Sequence, residues 1–293
     1  MIKFSENLRE SMKFIIDKNI YLQDTLKKHF PKSSKTTLRS WIHSGRILVD
    51  GRYATDLGVE LQQGQCITIR DKFIFLDEGI KVLYEDGVVI IVEKPEGMLS
   101  VATDFETQNT LQNILKVRLR RKNVFAVHRL DRETSGIMMF ACRESAKQSL
   151  KTQFEERQIQ KTYYALIEGK LAVQQGCWQS YLKEDEKYFV RSTSAENGKL
   201  AITEFDQIWS NKQFSLLCLK LLTGKKNQLR VHCSEAGHPI VGDKKYRANS
   251  NPLRRMALHA YSLTFLHPVK KKKMTFIAPL PTSFYKIARI KNL

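Results

Sequence analysis

From about residue 81 the chain is a succession of apolar runs of strand length, and this most limits what it can fold into. "VVIIVEK", "NVFAV", "GIMMFA", "KTYYALIEG", "YFVRSTS", "LAITEFDQIW", "FSLLCLKLL", "MALHAYSLTF" and "KMTFIAPLP" each read as a strand. Fewer stretches carry helical spacing. "TLQNILKVRLRR" places Leu111, Ile114, Leu115 and Leu119 on one face, and "ESAKQSLKTQFEERQI" does the same with Ala146, Leu150 and Phe154. "NQLRVHCSEAG" is a short helix ended by Gly237, and "SFYKIARI" a terminal one. Many strands with a few interspersed helices predict an α+β domain, with helices flanking a central mixed, largely antiparallel sheet.

The residues before about 80 have a different texture. Leu22, Leu26 and Phe30 recur at four-residue spacing up to Pro31. Ser33 or Ser34 caps a second helix that turns Leu38, Trp41 and Ile42 inward and closes at Gly45. Asp50-Gly51 then marks a tight hairpin and "QCITIRD" a strand. Two short helices and a small sheet make a compact α/β module. Its stretches "FPKSSKTTLRSWIHSGRILVDG" and "LQQGQCITI" resemble the S-four-like RNA-binding domain. That resemblance implies a basic face for structured RNA, on which Lys35, Arg39 and Arg46 lie.

Charge points to the same class of partner. The 293 residues hold 49 Lys and Arg against 30 Asp and Glu, a formal charge of +19. Such a surplus repels itself and favours a polyanion, with nucleic acid first and an anionic membrane surface second. No apolar run approaches the roughly 18 residues needed to span a bilayer, so no membrane is expected. The N-terminus lacks the apolar core of a secretory signal. Cys66, Cys142, Cys177, Cys218 and Cys233 are widely spaced, which fits reduced, buried thiols of a cytoplasmic protein. With no long exposed apolar stripe, a monomer is expected.

Signatures of nucleotide or metal chemistry are missing. "LLTGKKNQ" lacks the first glycine of a phosphate-binding loop, and no histidine pair or acidic cluster has metal-ligand spacing. The expected chemistry therefore needs neither cofactor nor metal. What remains is carboxylate chemistry supported by Arg, Lys and Tyr. Between "NVFAV" and "GIMMFA" sits a polar loop in which Asp131 is flanked by Arg129 and Arg132. A charge at the joint of two core strands is expensive unless paired. The loop is either a turn that needs a cap or a nucleophile held ready, since aspartate can attack a sugar carbon and a nearby arginine favours the ionised form.

"HRLDRETSGIMMFA" resembles the catalytic signature H-R-L-D-x-x-T-S-G of the RNA pseudouridine synthases of the large-ribosomal-subunit type. His128, Arg129, Leu130, Asp131, Thr134, Ser135 and Gly136 match every fixed position. "EKPEGMLS", "QKTYYALIEG" and "LLTGKKNQLRVHCSEAGHPIVGDKKY" match further family segments in the family's order, so the likeness covers about 80 to 280. It implies isomerisation of uridine to pseudouridine without a cofactor, in ribosomal RNA or, as competitor, transfer RNA. The implied catalytic residues are Asp131, Tyr163 and Arg230; the implied substrate contacts are Arg129, His128, Lys94, Lys225 and Gln228. The implied division is an RNA-binding module over 1–78 and a catalytic domain over 79–293. A silent RNA-binding or ribosome-assembly protein with the same fold is the alternative, and the presence of Asp131 argues against it. Lys225 stands where the family has arginine, Asn227 where it has histidine, and "SVATD" where it has "VHP". These departures are expected around the RNA-binding rim, where they bear on which RNA is used.

Overall fold

The computed structural model describes residues 12–43, 46–69, 74–76 and 78–288; the expected helix end at Gly45 lies outside them. Contacts divide the chain between Ile74 and Phe75.

In the first unit, β1 (Met12–Ile15), β3 (Ile47–Val49), β4 (Arg52–Tyr53) and β6 (Cys66–Ile69) form a sheet in the order β1-β6-β3-β4, while β2 (Ile20–Tyr21) pairs with β5 (Glu60–Leu61). Helix α1 (Leu22–His29) buries Leu22, Thr25 and Leu26. Helix α2 (Lys35–His43) is capped by Ser34, whose Oγ accepts from the Thr37 N–H at 3.1 Å. Leu38 and Ile42 from α2 join Leu22, Leu26, Ile47, Leu61 and Ile67 in one core. Asp50 and Gly51 both have positive φ, 48° and 80°, the primed turn that joins β3 to β4. Lys35 and Arg39 are exposed on α2, and the Arg46 guanidinium lies 4.4 Å from the Trp41 ring centre.

The second unit is built on a twelve-stranded sheet. Its strands are β7 (Ile74–Phe75), β8 (Lys81–Glu85), β9 (Val89–Lys94), β10 (Phe125–Ala126), β11 (Ser135–Ala141), β12 (Gln160–Glu168), β13 (Gln175–Glu184), β14 (Val190–Thr193), β15 (Lys199–Ser210), β16 (Phe214–Leu221), β17 (Leu258–Leu266) and β18 (Lys273–Ile277). The main path runs β14-β13-β15-β16-β12-β17-β11-β9-β8-β7, with β10 on β11 and β18 on β17. Among the registered pairings only β11–β17 is parallel, through Ser135↔His259 and Gly136↔Ala260. The sheet is mixed and largely antiparallel, and the unit is α+β.

The central strands are apolar on both faces because both faces are covered. Met138 and Phe140 of β11 pack with Ile90 and Val92 of β9, with Leu111 and Leu115 of α3 (Leu111–Arg118), and with Phe284 of α6 (Thr282–Ala288). Ile137, Met139 and Ala141 point the other way, onto Ala146 and Leu150 of α4 (Glu144–Glu155). Thr110 caps α3 by accepting from the Asn113 N–H. Helix α5 (Gln228–Glu235) follows β16 and is stopped by Gly237 at φ +82°.

Two expectations need correction, and one strand goes unread in the sequence. "NVFAV" forms only the two-residue β10, half-buried at the sheet margin. Strand β13 has no apolar run to announce it, because much of it is exposed. Cys177 is exposed and Cys66 half-buried; the other three thiols are buried. Among the described residues, no helix is long and apolar enough to cross a membrane.

Candidate active site

Asp131 is fixed by the seam where β11 meets β17. Gly136 runs there at φ +114°, and a Cβ on it would stand 2.2 Å from the Ala260 carbonyl oxygen, so only glycine admits the parallel pairing. Next to it, Arg255 donates to the Ser135 hydroxyl at 2.7 Å and Ser135 to His259 Nδ1 at 2.8 Å. Burial pushes the His259 pKa down to about 3 and keeps the ring neutral for this relay.

The polar loop before β11 is tied down residue by residue. The Ser100 hydroxyl donates to the Leu130 carbonyl at 2.7 Å and accepts from its N–H at 3.1 Å. The Asp131 carbonyl accepts from the Thr134 N–H at 3.1 Å, and Arg132 Nε donates to the Gly97 carbonyl at 3.0 Å. Lys94, fully buried, spends its three ammonium hydrogens on the carbonyls of Pro95, Met98 and Arg132, at 2.8, 2.8 and 3.1 Å. Burial pulls its pKa down to about 7, while Glu133 and Asp131 favour its charge. Lys94 is therefore not a substrate contact. It clamps the loop that carries Asp131.

The Asp131 carboxylate does not cap this turn. It projects toward α5, where Arg230 Nη1 lies 3.3 Å from its Oδ2. Arg230 is itself gripped by Asp243, which accepts from Nε and Nη2 at 2.7 Å each. Its guanidinium also stands 5.0 Å from the Tyr246 ring centre. This is a buried fork on one carboxylate that offers its remaining arm to another. Asn227, the left-handed residue that opens α5 at φ 53°, completes the grip. With its side-chain amide turned so that the nitrogen faces the carboxylate, which satisfies both groups, it donates to Asp131 at 2.9 and 3.2 Å and its oxygen accepts from the Tyr246 hydroxyl at 3.0 Å. Asn227 thus touches Asp131 rather than the rim, which corrects the expectation from the sequence. Asp243 and Tyr246 were not singled out in the sequence either, because nothing in "GDKKY" announces that it folds back on α5.

A cavity of about 1050 Å³ opens over this carboxylate, at the upper end of the usual range for small-ligand sites. Its walls come from residues 127–131, Thr134, segments of 154–163, residues 220–230 and Leu258. Tyr163 on β12 lines it, buried between Leu219 and Ala260 on the neighbouring strands. Burial, and then the Asp131 charge, push the Tyr163 hydroxyl well above the ordinary phenol range. It rests as a neutral phenol, which suits a stacking and hydrogen-bonding surface better than a resting base.

The other expected contacts divide. Arg129 is exposed at the rim and Lys225 lines the cavity. His128 forms part of the wall, its Nε2 accepting from the Met139 N–H at 3.0 Å, and burial drives its pKa to about 3. Gln228 is internally saturated, so its side chain braces the loop instead of binding substrate. Its oxygen accepts from Thr223 Oγ1 and the Lys225 N–H, and its nitrogen donates to the Ile202 carbonyl and Thr203 Oγ1. Among the described residues no group of three His, Cys, Asp or Glu side chains is placed to hold a metal ion.

Comparison with known proteins bears on this geometry. The family model for RNA pseudouridylate synthase matches residues 88–235, which include Asp131, Tyr163 and Arg230. An uncharacterized RNA pseudouridine synthase of Bacillus subtilis is 30% identical over 273 residues, covering 88% of this chain and 89% of that one. The ribosomal large subunit pseudouridine synthase D of Neisseria meningitidis is 30% identical over 302 residues, covering 93% of this chain and 79% of that one. The structure of human RNA pseudouridylate synthase domain containing 1 superposes with a TM-score of 0.57 at 27% identity, over 70% of this chain and 88% of that one. With a family match across half its length and relatives aligned along most of it, the chain belongs to the RNA pseudouridylate synthase family.

Proposed function

We propose that in this RNA pseudouridine synthase Asp131 is the nucleophile, and that the substrate is large-subunit ribosomal RNA. One observation carries the reading: a carboxylate at a loop, gripped by Arg230 and Asn227 and facing a cavity lined by Tyr163. In the isomerisation the bond from ribose carbon 1′ to base nitrogen 1 breaks and a bond from carbon 1′ to carbon 5 forms. The proton lost from carbon 5 is balanced by one gained at nitrogen 1, so no atom enters or leaves and no co-reactant is required. Asp131 attacks the sugar or the base and holds the fragment while the ring turns. Arg230 and Asn227 aim the carboxylate, so its orientation is set before substrate arrives. Tyr163 supplies a flat surface under the uracil and a hydroxyl for the proton step. The target must leave its helix or loop to reach this depth, and Arg129, exposed at the rim, is the side chain that takes the vacated space in this reading.

Ribosomal RNA is favoured because relatives aligned along most of the chain are named for the large ribosomal subunit. The first unit is read as the RNA-binding module, with Lys35, Arg39 and Arg46 as its phosphate contacts. The test is chemical mapping of pseudouridine in ribosomal and transfer RNA from cells lacking the gene, complemented with wild type or Asp131→Asn. Loss of specific ribosomal sites, restored by wild type alone, is the expected result. Restoration by Asp131→Asn refutes the nucleophile, and loss confined to transfer RNA refutes the substrate.

A further inference from the structure

Lys161 sits on β12 two residues before Tyr163, so the two side chains share a strand face and line the same cavity. Its ammonium lies 5.3 Å from the Phe154 ring centre. The 223–227 loop passes over it at Gly224, where a Cβ would stand 3.1 Å from Nζ. Glycine leaves the head group room and open access to the cavity. Yet among the described residues no carboxylate pairs with this ammonium and no carbonyl accepts from it. A cation set into a wall without a partner costs free energy. Burial alone acts on it and pulls its pKa down to about 8. Of the other cations lining the cavity, Arg157 and Lys220 are exposed to water and Arg230 is paired with Asp131 and Asp243, while Lys161 is half-buried without a carboxylate.

We propose that Lys161 seats the phosphate flanking the target uridine, completing its ion pair only when RNA enters the cavity. Two observations select phosphate over the base. Uridine itself is neutral, so the anion that an unpaired ammonium awaits is on the RNA backbone. Asp131 already has its cation in Arg230 at 3.3 Å, so the Lys161 ammonium is left for another anion. The inference rests on the reading of this cavity as the uridine site and adds a subsite to it. The Phe154 ring on one side of the ammonium and Gly224 on another fix where that phosphate lies.

The experiment is steady-state kinetics on large-subunit ribosomal RNA isolated from cells lacking the gene, with wild type, Lys161→Met and Lys161→Arg, across a range of salt. Loss of one charged contact made equally in ground and transition states raises KM roughly ten- to hundredfold for Lys161→Met and leaves kcat within a few-fold. The slope of log KM against log salt becomes shallower by roughly 0.7–0.9, one phosphate's worth, and Lys161→Arg restores most of both. A neutral methylphosphonate beside the modified uridine should mimic Lys161→Met in wild type and add nothing to that variant. An unchanged KM and salt slope, a loss confined to kcat, or additive effects of variant and methylphosphonate overturns the proposal. Where Lys161→Met does not fold, Lys161→Gln takes its place, and Lys161→Arg failing as badly as either also overturns it. Wild-type activity on the same RNA tests the uridine-site reading separately, so the two can fail independently.

Discussion

Asp243→Asn asks whether the fork that aims Arg230 holds the site together. Asp243 is 1% exposed and accepts two bonds of 2.7 Å from a guanidinium that is 8% exposed. Asparagine keeps the shape and one acceptor but loses the charge. One charge-assisted bond disappears, worth about 1.5–3 kcal/mol, and the survivor becomes an ordinary one. The nearest replacement anions are Asp131 at 3.3 Å and Glu133 at 4.0 Å, and neither can take over the bidentate geometry without moving the arginine. The sum is about 3 kcal/mol, the lower end of what breaking a buried pair costs. Urea unfolding of wild type, Asp243→Asn, Asp243→Leu, Arg230→Met and the Asp243→Leu/Arg230→Met double variant measures it. Each single variant should lose about 3 kcal/mol, and the double variant clearly less than the sum, because no charge is left stranded. In folded Asp243→Asn the kcat should drop roughly ten- to hundredfold, since Arg230 then leans onto Asp131. An Asp243→Asn variant within about 0.5 kcal/mol of wild type, with additive single effects, refutes the argument.

Three further outcomes follow from the geometry. Gly136→Ala drives a Cβ against the Ala260 carbonyl at φ +114°, and should cost more than about 4 kcal/mol or abolish soluble protein; a variant as stable as wild type in urea would contradict the seam. Lys94→Met leaves three carbonyls without their donor, at least two of them partly shielded from water, costing about 2–4 kcal/mol, and frees the Asp131 loop, so kcat falls; full kcat in the folded variant would count against the clamp. Asp86 is held down to about 2, burial opposing the shift while Tyr84, the Val88 and Val89 N–H groups and Lys270 drive it. Its contribution is present above the unfolded carboxylate pKa and fades as pH falls toward 2. Asp86→Asn should therefore cost about 1–2 kcal/mol at pH 6 and less at pH 3, after allowance for solvent screening; an equal cost at both values would rule this out.

What could be read before folding was local. The helical stripes of Leu22 and Leu26, of Leu111 and Leu115, and of Ala146 and Leu150 all face their cores, because spacing alone decides which face is buried. The loop of Asp131 was legible from its chemistry: a charge between two core strands needs a reason. The partners supplying that reason were not legible. Asp243 and Tyr246 reach Arg230 through a fold-back after α5, and their sequence neighbours carry no periodic signal. The resemblance implies Lys94 as a substrate contact, and only the tertiary fold reveals three carbonyls converging on it. Strand β13 escaped notice because its inner face, Gly176, Trp178 and Ser180, is only half-buried and carries a single large apolar side chain before Leu182, too weak an alternation to announce a strand.

The parallel seam also orders events during folding. Strand β17 lies between β11 and β12, so the strands β7 to β11 and the strands β12 to β16 are separate until it inserts. Ser135 and His259, which meet at that seam, are 124 residues apart. Contacts so distant in sequence form late and slowly. Asp131 comes from the first group of strands, while Tyr163 and the helix bearing Arg230 are tied to the second. A nascent chain therefore carries the Asp131 carboxylate before the arginine that pairs with it is in place, and the site assembles in one step, when a single late strand zips the two halves together.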